Sequence, residues 1–90
     1  MEWKLFANLA ETAGEKRVTV DVEPGATVDD ALEALFAAHP ELREPVLEDG
    51  EVAEHLNVLK NGADVRDGAG LDTTVEQDDE LALFPPVSGG

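Results

Sequence analysis

One stretch of this chain carries an apolar stripe at helical spacing, and the stretches on either side of it alternate instead. Val28, Ala31, Leu32, Leu35 and Phe36 recur at i, i+3, i+4, i+7 and i+8, the pattern of a helix with one buried face. Thr27 is placed to cap it, with Asp30 three residues on; a threonine oxygen there accepts an orphaned backbone N–H, and acids suit the positive end of the helix dipole. Pro40 sets the latest point at which the helix can end.

The flanking stretches read with period two. Residues 1–7 put Trp3 and Leu5 on one face and Lys4 and Phe6 on the other. Residues 16–22 put Val18, Val20 and Val22 inward against Arg17, Thr19 and Asp21. Between them, residues 8–15 read as a loop with a turn near Gly14, which makes the pair a hairpin with a longer connection. Beyond the helix, residues 41–54 are polar and broken by Pro45 and Gly50, predicting a loop with no more than a short helical turn. Residues 55–60 read as a strand, Asn61-Gly62 as a hairpin turn, and 63–65 as a short strand. Residues 67–70 read as flexible, 76–79 as an acidic turn, and 81–84 as the last strand, ended by Pro85-Pro86. One helix packed on a mixed sheet is the α+β class. The expected organisation is one domain over residues 1–86 and a flexible tail over 87–90.

Charge narrows the function. The chain holds 21 Asp and Glu against 6 Lys and Arg, a formal net charge of −15. Such a surface cannot neutralise phosphates or approach an anionic bilayer, which argues against nucleic-acid and membrane partners. High net charge favours disorder when apolar residues are few, but 42% of this chain is hydrophobic, and the acids avoid the periodic apolar positions. An acidic folded domain follows. Acids spread over the whole chain, with only Lys4, Lys16 and Lys60 as lysines, point to a high-salt cytoplasm where self-repulsion is screened. Met1-Glu2-Trp3-Lys4 lacks the basic start of a signal peptide, so a cytoplasmic location is expected. The absence of cysteine excludes disulfides, thiolate metal sites and a cysteine nucleophile.

The chemistry concentrates in Leu83-Phe84-Pro85-Pro86-Val87-Ser88-Gly89-Gly90. Two prolines remove backbone donors and stop sheet pairing. Two glycines without Cβ let the backbone enter a channel too narrow for side chains. The expected product is a thin arm of Val87, Ser88 and Gly89 with one reactive group, the Gly90 carboxylate, at its tip.

This ending, together with the first strand Lys4-Leu5-Phe6-Ala7, the helix from Thr27 and the Asn61-Gly62 turn, resembles the small subunit of molybdopterin synthase and its ubiquitin-like relatives, above all the small modifier proteins of halophilic archaea. The resemblance implies a ubiquitin-like β-grasp: a four- to five-stranded mixed sheet on one main helix with a Gly-Gly tail. It also implies a carrier rather than an enzyme, with no catalytic side chain and no bound cofactor. An E1-like adenylating enzyme would use ATP and magnesium to activate Gly90. The activated carbonyl would then take sulfur as a thiocarboxylate, or be joined by an isopeptide bond to lysines of target proteins. The alternative is service only as the small subunit of molybdopterin synthase, donating sulfur in molybdenum cofactor biosynthesis.

Alternation also predicts a docking surface. If Leu56, Val58, Leu81 and Leu83 point inward, Leu59 and Phe84 point outward with Phe6. In the β-grasp that the resemblance implies, these strands are neighbours, so Phe6, Leu59 and Phe84 would form an apolar patch beside Pro85 and Pro86. That patch is the expected contact for the activating enzyme or a large synthase subunit. His39 reads as a surface residue favoured by the helix dipole. His55 near Glu51 and Glu54 is a weak metal candidate, and no metal site is expected. Glu76, Asp78, Asp79 and Glu80 read as a solvated acidic face.

Overall fold

The computed structural model describes residues 1–85. Strands β1 (Glu2–Leu5), β2 (Arg17–Thr19), β5 (Asn57–Lys60), β6 (Ala63–Asp64) and β7 (Glu80–Phe84) form one sheet in the order β2-β1-β7-β5-β6. Strands β3 (Leu47–Glu48) and β4 (Glu51–Val52) form a separate small hairpin. The central pair, β1 and β7, is parallel and joins the two ends of the described chain; the other pairings of the sheet are antiparallel. Helix α2 (Val28–Ala38) lies against one face, and α1 (Asn8–Ala13) and α3 (Arg43–Val46) are short. This is the ubiquitin-like β-grasp, a mixed five-stranded sheet of the α+β class.

The expected faces hold. Trp3, Leu5, Val18, Val58, Leu81 and Leu83 turn inward and meet the α2 stripe, where Val28, Ala31, Leu32, Leu35 and Phe36 are all buried. The fully buried Trp3 ring also donates its Nε1–H to the Ala31 carbonyl at 3.0 Å, tying β1 to α2. Thr27 caps α2 as read: its Oγ1 accepts from Asp30 N, and the Asp30 carboxylate accepts from Thr27 N, a reciprocal capping box. The helix ends at Ala38, two residues short of Pro40. At the Asn61-Gly62 turn both residues have positive φ, 49° and 87°, as the tight hairpin requires. Asn61 further accepts from Glu80 N and donates to Asp79 at 3.0 Å each, pinning the hairpin to the start of β7.

Four expectations need correction. Residues 8–15 are not a loop: Asn8–Ala13 is helical, because Leu9 is fully buried and Gly14, at φ 82°, closes the end by donating to Ala10 O. Strand β2 is shorter than residues 16–22: the regular strand ends at Thr19, although Val20 still exchanges hydrogen bonds with Met1 and Val20 and Val22 continue the inward alternation. Residues 41–54 hold a 3₁₀ turn (Pro40–Leu42), α3 and the β3–β4 hairpin, anchored by Leu42 and Val46, which are completely buried. Likewise residues 67–70 are bracketed by 3₁₀ turns at Val65–Asp67 and Gly70–Asp72 rather than being free. Among the described residues no helix is long and apolar enough to cross a membrane.

Candidate functional site

The site is built where β1 and β7 end together. Their parallel register pairs Leu5 with Leu83, so the next residues, Phe6 and Phe84, emerge side by side on the face opposite α2. Their rings stack with centroids 4.0 Å apart and planes 16° from parallel. Phe6 is 37% exposed, the large apolar side chain most open to solvent among the described residues. Leu59 lies on the same outward face, but its partner in the sheet is Ala82, while Asn57 faces Phe84. The structure therefore brings Phe6 and Phe84 into contact and sets half-buried Leu59 one row back, diagonal to the pair. Pro85 follows directly and is half-buried. Pro86, Val87, Ser88, Gly89 and Gly90 lie outside the described residues.

Electrostatics set this face apart. The outward charged side chains of β1, β2 and β7 are Glu2, Lys4, Arg17 and Glu80, and they cancel. Lys4 pairs with Glu80 at 3.2 Å and Arg17 with Glu2 at 3.8 Å. On a chain carrying −15, a sheet face that is charge-balanced and capped by two stacked phenyl rings is where a partner meets the least repulsion and the most apolar area.

Beside the rings, an open groove of about 570 Å³ is lined by the apolar Leu5, Phe6, Ala7 and Ala10 and by the charged Lys4, Glu11, Lys16 and Arg17. Reading residues 8–15 as a loop conceals this groove, since α1 supplies its wall. The apolar pair Leu9 and Ala13, one helical turn apart before Gly14, is the signal that identifies α1.

The remaining candidates play other parts. His39 is the C-cap of α2 and is not a free surface residue: its Nε2 stands 2.8 Å from Glu15 and its Nδ1 3.4 Å from Glu41. Burial pulls its imidazole down, but hydrogen bonds and attraction from Glu15 and Glu41 outweigh that, and its pKa stands above the ordinary histidine value. The acidic turn is not simply solvated. Asp79 accepts from Asn61 and from Glu76 N, and with Lys60 3.7 Å away its carboxyl is held below the usual range. His55 is exposed, and no group of three His, Asp or Glu side chains that would hold a metal ion occurs among the described residues.

A β-grasp whose last strand ends in a stacked aromatic pair and leads in sequence to Pro-Pro-Val-Ser-Gly-Gly is the plan of a class of small carrier proteins. The chain belongs to the ThiS family, whose model matches residues 3–90. It is 57% identical to small archaeal modifier protein 1 of Haloferax volcanii over the full length of both chains. The crystal structure of that protein superposes with a TM-score of 0.91, covering 100% of this chain and 98% of the other. The sulfur carrier protein CysO of Mycobacterium tuberculosis is 31% identical over 88% of this chain and 85% of its own. The resemblance read from the Phe-Pro-Pro-Val-Ser-Gly-Gly ending therefore holds along the whole chain.

Proposed function

We propose that this chain is a ubiquitin-like protein modifier that also carries sulfur, with Gly90 as the group transferred. The observation that carries the reading is the 57% identity to a small archaeal modifier protein over the full length of both chains; the match to a sulfur carrier supports the second role. At neutral pH a free α-carboxylate is charged, poorly electrophilic and without a leaving group. An E1-like adenylating enzyme, using ATP and magnesium, converts it to an acyl-adenylate with loss of pyrophosphate. A hydrosulfide-level sulfur donor then attacks the carbonyl, forming the C–S bond as the C–O bond to AMP breaks, to give a thiocarboxylate, or a target lysine amine displaces AMP to give an isopeptide bond. No side chain of this protein takes part in those steps; the protein is the substrate and cargo. Its own contribution is recognition, through Phe6 and Phe84 beside the emerging segment, with Leu59 and Pro85 extending the apolar surface.

The test compares three forms expressed in the host: the full chain, a form lacking Gly89 and Gly90, and Phe6→Ser/Phe84→Ser. Covalent adducts are read by immunoblot, and the tryptic peptide of residues 67–90 by its mass. The full chain is expected to yield branched lysine peptides and an oxygen-to-sulfur gain on the 67–90 peptide, and the truncated form neither. The double serine variant is expected to fold yet lose at least about tenfold in activation, since central aromatic contacts contribute roughly 2 kcal/mol or more. Adducts that persist after removal of Gly89 and Gly90 would overturn the reading.

A further inference from the structure

The Asn61-Gly62 turn holds more chemistry than its place in the hairpin requires. An asparagine side chain can close a ring onto the backbone nitrogen of the next residue, and glycine, with no side chain, obstructs that approach least. Asn8 and Asn57, the other asparagines, precede Leu9 and Val58, whose side chains crowd it. Both turn residues are exposed, and the space beside Gly62 where a Cβ would stand is open to 4 Å, so water and hydroxide reach the site. What restrains the reaction is the grip on the Asn61 carboxamide. Its Nδ2 donates to the Asp79 carboxylate and its Oδ1 accepts from Glu80 N, each at 3.0 Å, while Asn61 N donates to Glu80 O at 2.8 Å. Asp79 is itself fixed by Glu76 N at 2.8 Å and faces Lys60 Nζ at 3.7 Å.

We infer that Asn61 is a site of spontaneous deamidation, held in check by its clasp on Asp79 and Glu80, and that its conversion releases the β5–β6 hairpin from β7. The step needs only water. The Gly62 backbone nitrogen, its proton taken by hydroxide, attacks Asn61 Cγ. A C–N bond forms, the bond to Nδ2 breaks, and Nδ2 leaves as ammonia with a proton from water. Water then opens the cyclic imide at either carbonyl, giving aspartate or isoaspartate. In sum, an amide and a water become a carboxylate and an ammonium ion. Closing the ring draws Cγ onto Gly62 N and pulls the carboxamide off both partners, so the reaction runs through molecules whose turn has opened.

The product cannot restore the clasp. A carboxylate at position 61 has no N–H to offer Asp79 and sets a like charge where the 3.0 Å bond stood; Lys60 then faces two carboxylates. Isoaspartate also adds a carbon to the backbone of a two-residue turn whose positive φ angles fix the register. The Leu59–Ala82 and Lys60–Leu81 pairings nearest the turn lose their anchor. Because the conversion does not reverse in water, it marks each molecule by the time it has spent open.

The test incubates the full chain at mildly alkaline pH, folded in concentrated potassium chloride and unfolded in guanidinium chloride. Cleavage at Glu54 and Glu76 releases residues 55–76 with Asn61 internal, and fragmentation by mass spectrometry places the amide-to-acid gain. Asn61 is expected to convert before Asn8 and Asn57 in the unfolded chain, and at least about tenfold more slowly in the folded one, as breaking a charged and a neutral hydrogen bond first implies. Asp79→Ala, which removes one end of the clasp, should speed conversion of the folded chain at least about threefold. Asn61→Asp, which stands for the product, should lower the melting temperature by about 4 °C or more. Equal rates in folded and unfolded chain, a gain that falls first on Asn8 or Asn57, or an inert Asn61 in guanidinium chloride would each overturn the inference. So would a folded Asp79→Ala chain that converts no faster, or an Asn61→Asp chain that melts with the natural one. If Asp79→Ala does not fold, the comparison of the natural chain in its two states still decides, since it needs no variant.

Discussion

Ala7 stands at the junction between the aromatic pair and α1, and its backbone is unusual for an alanine: φ 53°, ψ −129°. Leu9 N donates to Phe6 O at 3.1 Å, so Ala7 is the second residue of a type II′ turn, a position that favours glycine. A non-glycine residue in such a region costs about 1–3 kcal/mol. Its side chain is exposed, so removing the methyl group sacrifices little packing. Ala7→Gly is therefore expected to stabilise the protein by roughly 1 kcal/mol, the relief of strain exceeding the added entropy of the unfolded chain. Urea denaturation checks this, and a loss of stability would show that the strain is not present in solution. The turn matters because it stops β1 at Leu5 and leaves Phe6 beside Phe84 rather than burying it under α1. None of this is legible in the sequence, where alanine suggests a helix former and nothing marks a positive φ.

At the scale of elements, legibility tracks how much of the structural signal is local. Helix α2 is readable because stripe, cap and acidic first turn all lie within eleven residues and agree. Asn61-Gly62 is readable because one dipeptide sets the turn. Strand faces are readable because period two survives even beyond the regular strand, as at Val20 and Val22. The segment after α2 is not, because its prolines read as breakers while the fold uses them as starters: Pro40 opens a 3₁₀ turn and Pro45 sits in the single turn of α3, where a missing N–H costs nothing. What holds this segment is the distant burial of Leu42 and Val46, which no local pattern announces. The same is true of His39, whose partner Glu15 is 24 residues away. That bridge joins the end of α2 to the turn before β2 and makes a pH prediction. Because the folded pKa is raised, the bridge contributes its full stability below the unfolded value of about 6.5 and loses it as pH rises through the folded value. Glu15 is half exposed, so water screens the pair to roughly 0.2–1 kcal/mol. Denaturation at about pH 6 and about pH 8.5 should show that decline in the natural chain and a smaller one in Glu15→Gln. An unchanged slope in the variant would remove Glu15 from the account.

At the scale of the whole molecule, the acid excess is plain from the sequence, but its distribution is not. The outward charges of β1, β2 and β7 cancel, so the unbalanced acids lie over the helices, the turns and the small hairpin, with Glu11 of α1 in the groove beside Phe6. Two opposite salt effects follow. Added salt weakens attractive pairs such as Lys4–Glu80, each contributing well under about 1 kcal/mol. It also screens the repulsion among 21 acids opposed by only 6 bases, a far larger number of pairs, and this second effect decides the sign. The Debye length falls from about 10 Å at 0.1 M to about 3 Å at 1 M, shorter than the spacing of most surface charges. For a chain of this size each 1 kcal/mol moves the melting temperature by about 4–8 °C. Raising potassium chloride from about 0.1 M to about 2 M is thus expected to raise the melting temperature by about 10 °C or more, as recovery of roughly 2 kcal/mol from repulsion implies. Because the aromatic face is already charge-balanced, docking through Phe6 and Phe84 should strengthen with salt as apolar burial does, rather than weaken as an ion-paired interface would. A melting temperature independent of potassium chloride would mean that the acids are too well solvated to oppose folding, and the high-salt reading of this sequence would fall with it.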